Sequence, residues 1–323
     1  MALSYNSFFT KQKMSELINL VLRAGHSAFD VAVYTLLPIM VVMMILMRFL
    51  ELYGVIDRIV ALIGPFLKPF GLSGLSVVAM LQMSLVSFVA PLPTLKLMED
   101  RGVSDRSLSA ATAAMLAMAP ANALFPIASF GASAGTGILL SVLGGLTAAS
   151  CCYYIFGRRL SKMDISPTST EKAVLTNPSF LKTIEISGTE AMGIVVRIIP
   201  MLMLSLLLVY GGEAAGLVAA LTHELTPVFA KAGLSTEIIL PTLTKYLAGS
   251  TALTALYQDM ALHGGISPVL LKDGAIGFLL HPFDVAGIAI LLSAGRRVAH
   301  GAVPAIISAL TGIAARAVLG LFV

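Results

Sequence analysis

The hydrophobic pattern divides the chain into long apolar runs separated by shorter polar stretches. A run of about 20 apolar residues is what an α-helix needs to cross a bilayer. The runs predicted to be membrane-crossing or broken membrane helices cover residues 31–47, 107–129, 132–156, 191–210, 268–295 and 299–322. Two other stretches, 51–70 and 213–232, mix charges with apolar residues and are typical of helices that lie along the membrane interface.

Proline interrupts several of these runs. Because proline lacks an amide donor and clashes with the preceding helical turn, we expect a kink at Pro38 and breaks at Pro120 and Pro126. The run 74–95 contains two prolines close together and is followed at once by charged residues, which predicts a re-entrant hairpin or a broken span. The run 236–257 mixes polar and apolar residues in a similar way and is predicted to be its counterpart.

The two halves of the chain share a register. An offset of 162 residues aligns Pro38 with Pro200, Glu51 with Glu213, Pro65 with Pro227, Gly71-Leu72-Ser73 with Gly233-Leu234-Ser235, Pro120 with Pro282, and Asn122 with Asp284. Matching broken helices in two halves indicate a binding site near the membrane midplane of a secondary transporter. The alternative is a pair of similar hydrophobic bundles that transport nothing.

These patterns predict an all-α polytopic membrane protein built from two repeats, inverted relative to each other, with broken helices and re-entrant hairpins. The predicted segments are an amphipathic lead-in over 1–24, a first repeat over 25–156, a cytoplasmic linker over 157–190 and a second repeat over 191–323. The linker holds the longest polar stretch and several basic residues, which favour the cytoplasmic side.

Composition narrows the class of protein. Hydrophobic residues make up 57% of the 323 residues and charged residues only 12%, with a mean hydropathy of +0.92. An ordinary soluble domain has about 25% charged residues, so a soluble enzyme, a nucleic-acid binder and a disordered chain are excluded. We therefore expect a multi-pass protein of the inner (plasma) membrane, bacterial in origin, whose surroundings are the lipid bilayer.

Ionisable groups inside apolar segments are costly and usually functional. His281 and Asp284 flank Pro282 within an apolar stretch, and Asn122 occupies the position aligned with Asp284. All three are candidate substrate-binding residues. The alternative for His281 and Asp284 is a short loop at the membrane interface, and for Asn122 a helix cap or turn.

The predicted hairpins supply the other candidates. Lys245 lies in an otherwise uncharged run, where it either binds substrate or reaches to the interface, and it could pair with Asp284. The remaining candidate substrate-binding residues are Gln82, Ser84, Ser87, Thr244, Ser250, Thr251 and Thr254. Arg197 and Arg316 lie near helix ends, so we expect both side chains to reach to the interface.

Catalysis is the weakest interpretation. Residues 131–135 satisfy G-x-S-x-G, with Ser133 as its serine, but the strand–turn–helix context of a hydrolase is not predicted there. Small-residue helix packing explains these residues better. We therefore predict that the protein is not an enzyme and uses no cofactor and no resident metal.

The duplicated arrangement, with a proline-containing span, a Gly-Leu-Ser segment and a polar broken run in each half, resembles the nucleoside recognition or gate domain family. That family includes the gate regions of the concentrative nucleoside transporters and of the ferrous-iron transporter, and the spore maturation proteins A and B. The resemblance implies an integral membrane transporter, secondary active or facilitative, of a nucleoside-like solute or small organic ion. A non-transporting gate or assembly subunit is the alternative, and a homo-oligomer and a membrane partner subunit both stay open.

Overall fold

The computed structural model describes residues 2–164, 180–231 and 235–323, and the described residues form helices joined by short connections. The first half consists of α1 (Ala2–Asp30), a π-helical segment (Val31–Leu36), α2 (Leu37–Leu52), α3 (Val55–Leu67), a 3₁₀ turn (Lys68–Phe70), α4 (Gly74–Leu85), α5 (Leu92–Asp100), α6 (Asp105–Ala117), α7 (Ala121–Ala128), α8 (Ala134–Cys151) and a second π-helical segment (Cys152–Phe156).

The second half has the same general order. It consists of α9 (Phe180–Ala214), α10 (Leu217–Lys231), a 3₁₀ turn (Thr236–Ile238), α11 (Ile239–His263), α12 (Pro268–Leu271), α13 (Asp273–Leu279), α14 (Val285–Leu292), α15 (Arg296–His300) and α16 (Ala302–Leu319). Gly233 and Leu234, which belong to the predicted repeat register, and residues 165–179 of the predicted linker lie outside the described residues.

Length and apolar composition mark four helical stretches of the described chain as able to cross a membrane: Met14–Leu50, Asp105–Ala128, Ala134–Phe156 and Ala302–Leu319. Two bent helix pairs bring the number to six if each pair counts as one span. One pair combines α3 with α4 at 103°, and the other combines the end of α9 with α10 at 74°. The first span begins at Met14, well before the predicted Val31, because α1 continues into α2 through the π-helical segment just ahead of Pro38.

The long helical stretch α1–α2 and the helix α9 cross each other in opposite directions. Ala24 and Ala28 of α1 share a buried cluster with Leu206 near the end of α9. Met44 of α2 shares another cluster with Val195, nearer the beginning of α9. The stretch α1–α2 and the helix α9 therefore run antiparallel.

A second packing centre brings α6, α8 and α16 together. Small residues let their backbones approach closely, as is usual between membrane helices. A Cβ atom on Gly144 would lie 2.9 Å from the carbonyl oxygen of Gly312, and one on Gly145 would lie 2.7 Å from Cγ of Met118. Neither position leaves room for a larger residue without rearrangement.

The predicted interruptions are partly correct. The chain leaves helical geometry between α6 and α7 at Pro120, and α4 and α5 form the predicted hairpin by packing on each other. The break expected at Pro126 is wrong, because α7 continues through it to Ala128. Pro126 lies in the last turns of this short helix, where it removes only one backbone hydrogen bond.

The last residues of the predicted linker are helical. Residues 180–190 are the first turns of α9 and not a loop. Thr183, Ser187 and Ala191 recur at intervals of four residues and are all buried, so this segment presents one continuous helical face to its neighbours.

Candidate functional site

Both hairpins pack against the broken helices. The first hairpin, α4–α5, contacts α6, and α4 also contacts α7. In the second half, α11 contacts α7, α13 and α14. Since α7 contacts elements of both hairpins, the interruptions predicted from sequence lie within one region of the molecule.

The second hairpin, α11, consists of two helical segments that meet at one break. Gly249 has φ +87° and ψ 176°, in the middle of α11, and this positive φ is accessible mainly to glycine. A Cβ atom at Gly249 would lie 3.5 Å from the carboxylate of Asp284. The break therefore brings the backbone of the hairpin next to the acidic residue of the second broken helix.

Lys245 and Asp284 form a buried ion pair. Lys245 Nζ lies 2.5 Å from Asp284 Oδ2, and the two side chains are 0% and 5% exposed. Asp284 Oδ1 accepts a hydrogen bond from the Gly287 amide at 2.8 Å and so caps the N-terminus of α14. The suggested pairing is confirmed, and the alternative that Lys245 reaches to the interface is wrong because its ammonium has this buried partner.

Backbone and side-chain hydrogen bonds fix the shape of the second break. The Phe283 amide donates to Nδ1 of His281 at 3.1 Å, so the ring proton is on Nε2, which lies 2.9 Å from the carbonyl oxygen of Phe278. The hydroxyl of Ser250 donates to the carbonyl oxygen of His281 at 2.8 Å. Both ring nitrogens of His281 are thus used to hold the backbone between α13 and α14.

Arg316 is the important residue that the sequence did not reveal. Its Nη1 donates to the carbonyl oxygens of Ala117 at 2.6 Å and of Leu280 at 2.7 Å. These carbonyls end α6 and α13, so one guanidinium joins the C-terminal ends of both broken helices, where a cation is favoured by the helix dipoles.

The prediction that Arg316 reaches to the interface is wrong, because the side chain is 0% exposed. Gly144 makes room for it, since a Cβ atom there would lie 2.2 Å from Arg316 Cγ. The sequence feature that could have indicated this burial is the pattern of glycines on α8 and α16. Gly312 lies one helical turn before Arg316 and faces Gly144, which marks the side of α16 that touches another backbone.

The other candidate residues fall into two groups. Gln82 is bonded within its own hairpin, as Oε1 accepts from the Thr94 hydroxyl at 2.7 Å, while Thr254 donates to the Ser250 carbonyl oxygen at 3.0 Å. Buried polar atoms without a hydrogen-bond partner in the described part of the chain include Ser87 Oγ, both side-chain polar atoms of Asn122, and Thr244 Oγ1. Ser84 is buried and Thr251 half-buried.

Charge is concentrated at the second break. Among the described residues, the buried acidic and basic side chains are Lys245, His281, Asp284 and Arg316. His281 is neutral in its hydrogen-bonding arrangement, so two cations and one carboxylate leave a net charge of +1 in the interior. Buried charges of this kind require compensation by partners or ligands.

Two clefts open at opposite ends of the long α1–α2 helix. A cleft of about 980 Å³ lies between α2, α9 and the α4–α5 hairpin, beside an Arg48–Glu190 ion pair of 2.5 Å. A smaller cleft of about 290 Å³ lies between α1 and α11, beside an Arg23–Asp259 ion pair of 2.9 Å. At 1.5 Å per helical residue, Arg23 and Arg48 are separated by roughly 35 Å, about the thickness of a bilayer.

Ser133 of the G-x-S-x-G sequence begins a helix. Its hydroxyl accepts a hydrogen bond from the Thr136 amide at 3.4 Å, which makes it the N-cap of α8. An N-cap serine satisfies an amide that has no intrahelical partner. The position of Ser133 is therefore explained by helix capping.

Comparison with known proteins supports the resemblance. Residues 33–136 match the family model for nucleoside recognition, called Gate. This match lies within the predicted first repeat, and it confirms the gate-like character of that segment. No curated protein matches the sequence.

Solved structures of CNTnw, a concentrative nucleoside transporter, are similar over nearly the whole chain. The structure in an inward-facing substrate-bound state has a TM-score of 0.65 at 17% identity, covering 98% of this chain and 85% of CNTnw. A CNTnw variant in an outward-facing state has a TM-score of 0.63 at 15% identity, covering 98% and 86%. The chain therefore has the all-helical fold of CNTnw.

Proposed function

We propose that this chain, which carries a Gate segment and the fold of CNTnw, transports a small polar solute across a membrane. The solute is nucleoside-like or a small organic ion, and its movement is secondary active or facilitative. That this membrane is the inner membrane of a bacterium is a prediction from the sequence.

The observation that carries this proposal is the cluster of buried polar groups at the breaks. Ionisable residues within apolar membrane segments are rare and costly, and they commonly mark substrate or ion pathways. Here Lys245 and Asp284 lie where a re-entrant hairpin meets a broken helix, and Asn122 lies just after the other break. Non-helical backbone at this depth is tolerated where it is buried in protein or lines a cavity.

The two clefts support alternating access. The larger cleft contains the tip of the first hairpin, with Ala90 in its lining, and the smaller one contains the last turns of α11, with Leu262 in its lining. Their different sizes fit a state in which the molecule is open on the side of the large cleft. Movement of the hairpins relative to α1–α2 and α9 would then enlarge one cleft while the other closes.

Counterflow in proteoliposomes tests this proposal. The purified chain is reconstituted and offered radiolabelled uridine, lactate and choline, representing a nucleoside, an anion and a cation. We expect at least one solute to accumulate by exchange, and we expect the double variant Lys245→Met, Asp284→Asn to lose this exchange while staying folded. Absence of exchange for all three solutes would instead support the non-transporting gate or assembly subunit.

A further inference from the structure

The two proline-containing broken helices, α6–α7 and α13–α14, differ in how their second segments begin. At α14 the carboxylate of Asp284 caps the helix N-terminus. At α7 the N-terminus follows Pro120 and has no side-chain cap, and the residue aligned with Asp284 is Asn122. The first amides of a helix have no intrahelical partner and carry partial positive charge, so α7 lacks the carboxylate that α14 has built in.

Polar side chains on α7 and on the hairpin that contacts it have unused hydrogen-bonding capacity. Asn122 is 1% exposed, and neither its Nδ2 nor its Oδ1 has a partner in the described part of the chain. Ser87, at the tip of the hairpin whose first helix contacts α7, is also 1% exposed with an unpartnered Oγ. Buried polar groups are nearly always hydrogen-bonded in native proteins, so these groups point to a ligand.

The local charge favours an anion. Lys245 and Asp284 neutralise each other, so Arg316, which is bonded to backbone carbonyls, has no acidic partner among the described buried side chains. Arg316 also keeps two buried donors, Nε and Nη2, without a partner in the described chain.

We propose that the N-terminus of α7 binds the carboxylate of a small organic anion, in the way that α14 is capped by the carboxylate of Asp284. Asn122 Nδ2 and the Ser87 hydroxyl are the side-chain donors to this carboxylate. Asn122 Oδ1 accepts a hydrogen bond from a hydroxyl or amide elsewhere on the solute. That this anion is the transported solute rests on the proposed function.

Paired acids and amides test the preference for a carboxylate. The purified full chain in lipid nanodiscs is titrated with lactate, pyruvate and nicotinate, and with the corresponding amide of each, with uridine as a separate probe. We expect at least one acid to bind, with its amide at least tenfold weaker, and to raise the unfolding temperature. Equal binding of acid and amide in each pair, or no binding by any acid, would overturn the proposal.

A substitution that imitates the second half tests the site itself. Asn122→Asp places a resident carboxylate at the α7 N-terminus, so we expect at least a tenfold loss of affinity for the acid that binds the wild-type chain. Asn19→Asp makes the same change at an exposed position on α1 and should leave the affinity unchanged. If Asn122→Asp does not fold, Asn122→Ala is used instead, with an expected loss of about fivefold. Wild-type affinity in the folded variant that is tested would contradict the site.

Binding and transport results separate this inference from the proposed function. Acid binding that is sensitive to Asn122→Asp, but without counterflow, would support the anion site and contradict transport. Counterflow of uridine without binding of any acid would support transport and contradict the anion site.

Discussion

Single residues in this protein carry charge where lipid and apolar helices surround them, and each does so with defined partners. Lys245 and Asp284 satisfy each other, and Asp284 also caps a helix. Arg316 is held by two backbone carbonyls. A buried ion pair contributes little net stability compared with an apolar pair of equal size, so its presence suggests a role in specificity or transport.

The effects of substituting Lys245 and Asp284 on the free energy of unfolding should be non-additive. Lys245→Met or Asp284→Asn alone should destabilise the protein by about 3 kcal/mol, because the remaining partner is left as an uncompensated buried group. The double variant should recover most of that loss. Thermal unfolding in detergent measures all three, and additive losses would show that the two side chains are not energetically coupled.

Substitutions of Arg316 should lower the free energy of unfolding by graded amounts. Arg316→Leu removes the donors to the carbonyl oxygens of Ala117 and Leu280, and losing them should cost about 2–4 kcal/mol of unfolding free energy. Arg316→Lys keeps the positive charge but not the planar guanidinium, so an intermediate loss is expected. A leucine variant as stable as the wild type would contradict the role of Arg316 in joining the two helices.

At the level of elements, the protein uses interrupted helices in place of loops. Two helices break at proline-containing segments, and α11 breaks at Gly249, with helical segments on either side. Such breaks release backbone groups from helical hydrogen bonding, and the freed groups are taken up by side chains such as Ser250 and Arg316. Each break is therefore stabilised by a neighbouring element.

Gly249 and Gly188 make a matched comparison. Gly249→Ala places a Cβ atom on a residue with φ +87°, next to Asp284, and should cost about 1–3 kcal/mol. Gly188 is in the interior of α9 with open space at its Cβ position, so Gly188→Ala should be neutral or stabilising by up to about 1 kcal/mol. Unfolding temperatures of the two variants measure the difference, and equal values would mean that the α11 break is not strained.

For the whole molecule, the antiparallel crossing of α1–α2 and α9 is what an inverted duplication requires. Helix starts at Val55 and Leu217, and helix ends at Ala117 and Leu279, are each 162 residues apart, the offset found in the sequence. The duplication stays a proposal, and these bounds support it.

An inverted relation between the two halves predicts that the two clefts are accessible from opposite sides of the membrane. In a variant with Cys151 and Cys152 replaced by alanine, Ala90→Cys and Leu262→Cys should react with a membrane-impermeant maleimide from opposite sides of the vesicle. The larger cleft predicts faster labelling at position 90. Labelling of both positions from the same side would contradict the arrangement.

Much of this architecture could be predicted from the sequence because its signals are local. Proline, glycine and isolated charges identified the breaks at Pro120 and near Pro282, and the Lys245–Asp284 pair. Arg316 could not be identified in this way, because its partners lie 36 and 199 residues away in sequence. An arginine near a helix end resembles any interfacial arginine until the packing of α16 against α8 is known.

The distant bond between Arg316 and Ala117 has a consequence for biosynthesis. Their separation of 199 residues corresponds, at about 5–20 residues per second, to roughly 10–40 s of translation. During that interval the end of α6 is already made while its donor is not, and the end of α13 follows only 36 residues before Arg316. The nascent chain must therefore insert into the membrane before Arg316 is present to bond these two helix ends. Both broken helices reach their final positions only after α16 has been made and has packed against them.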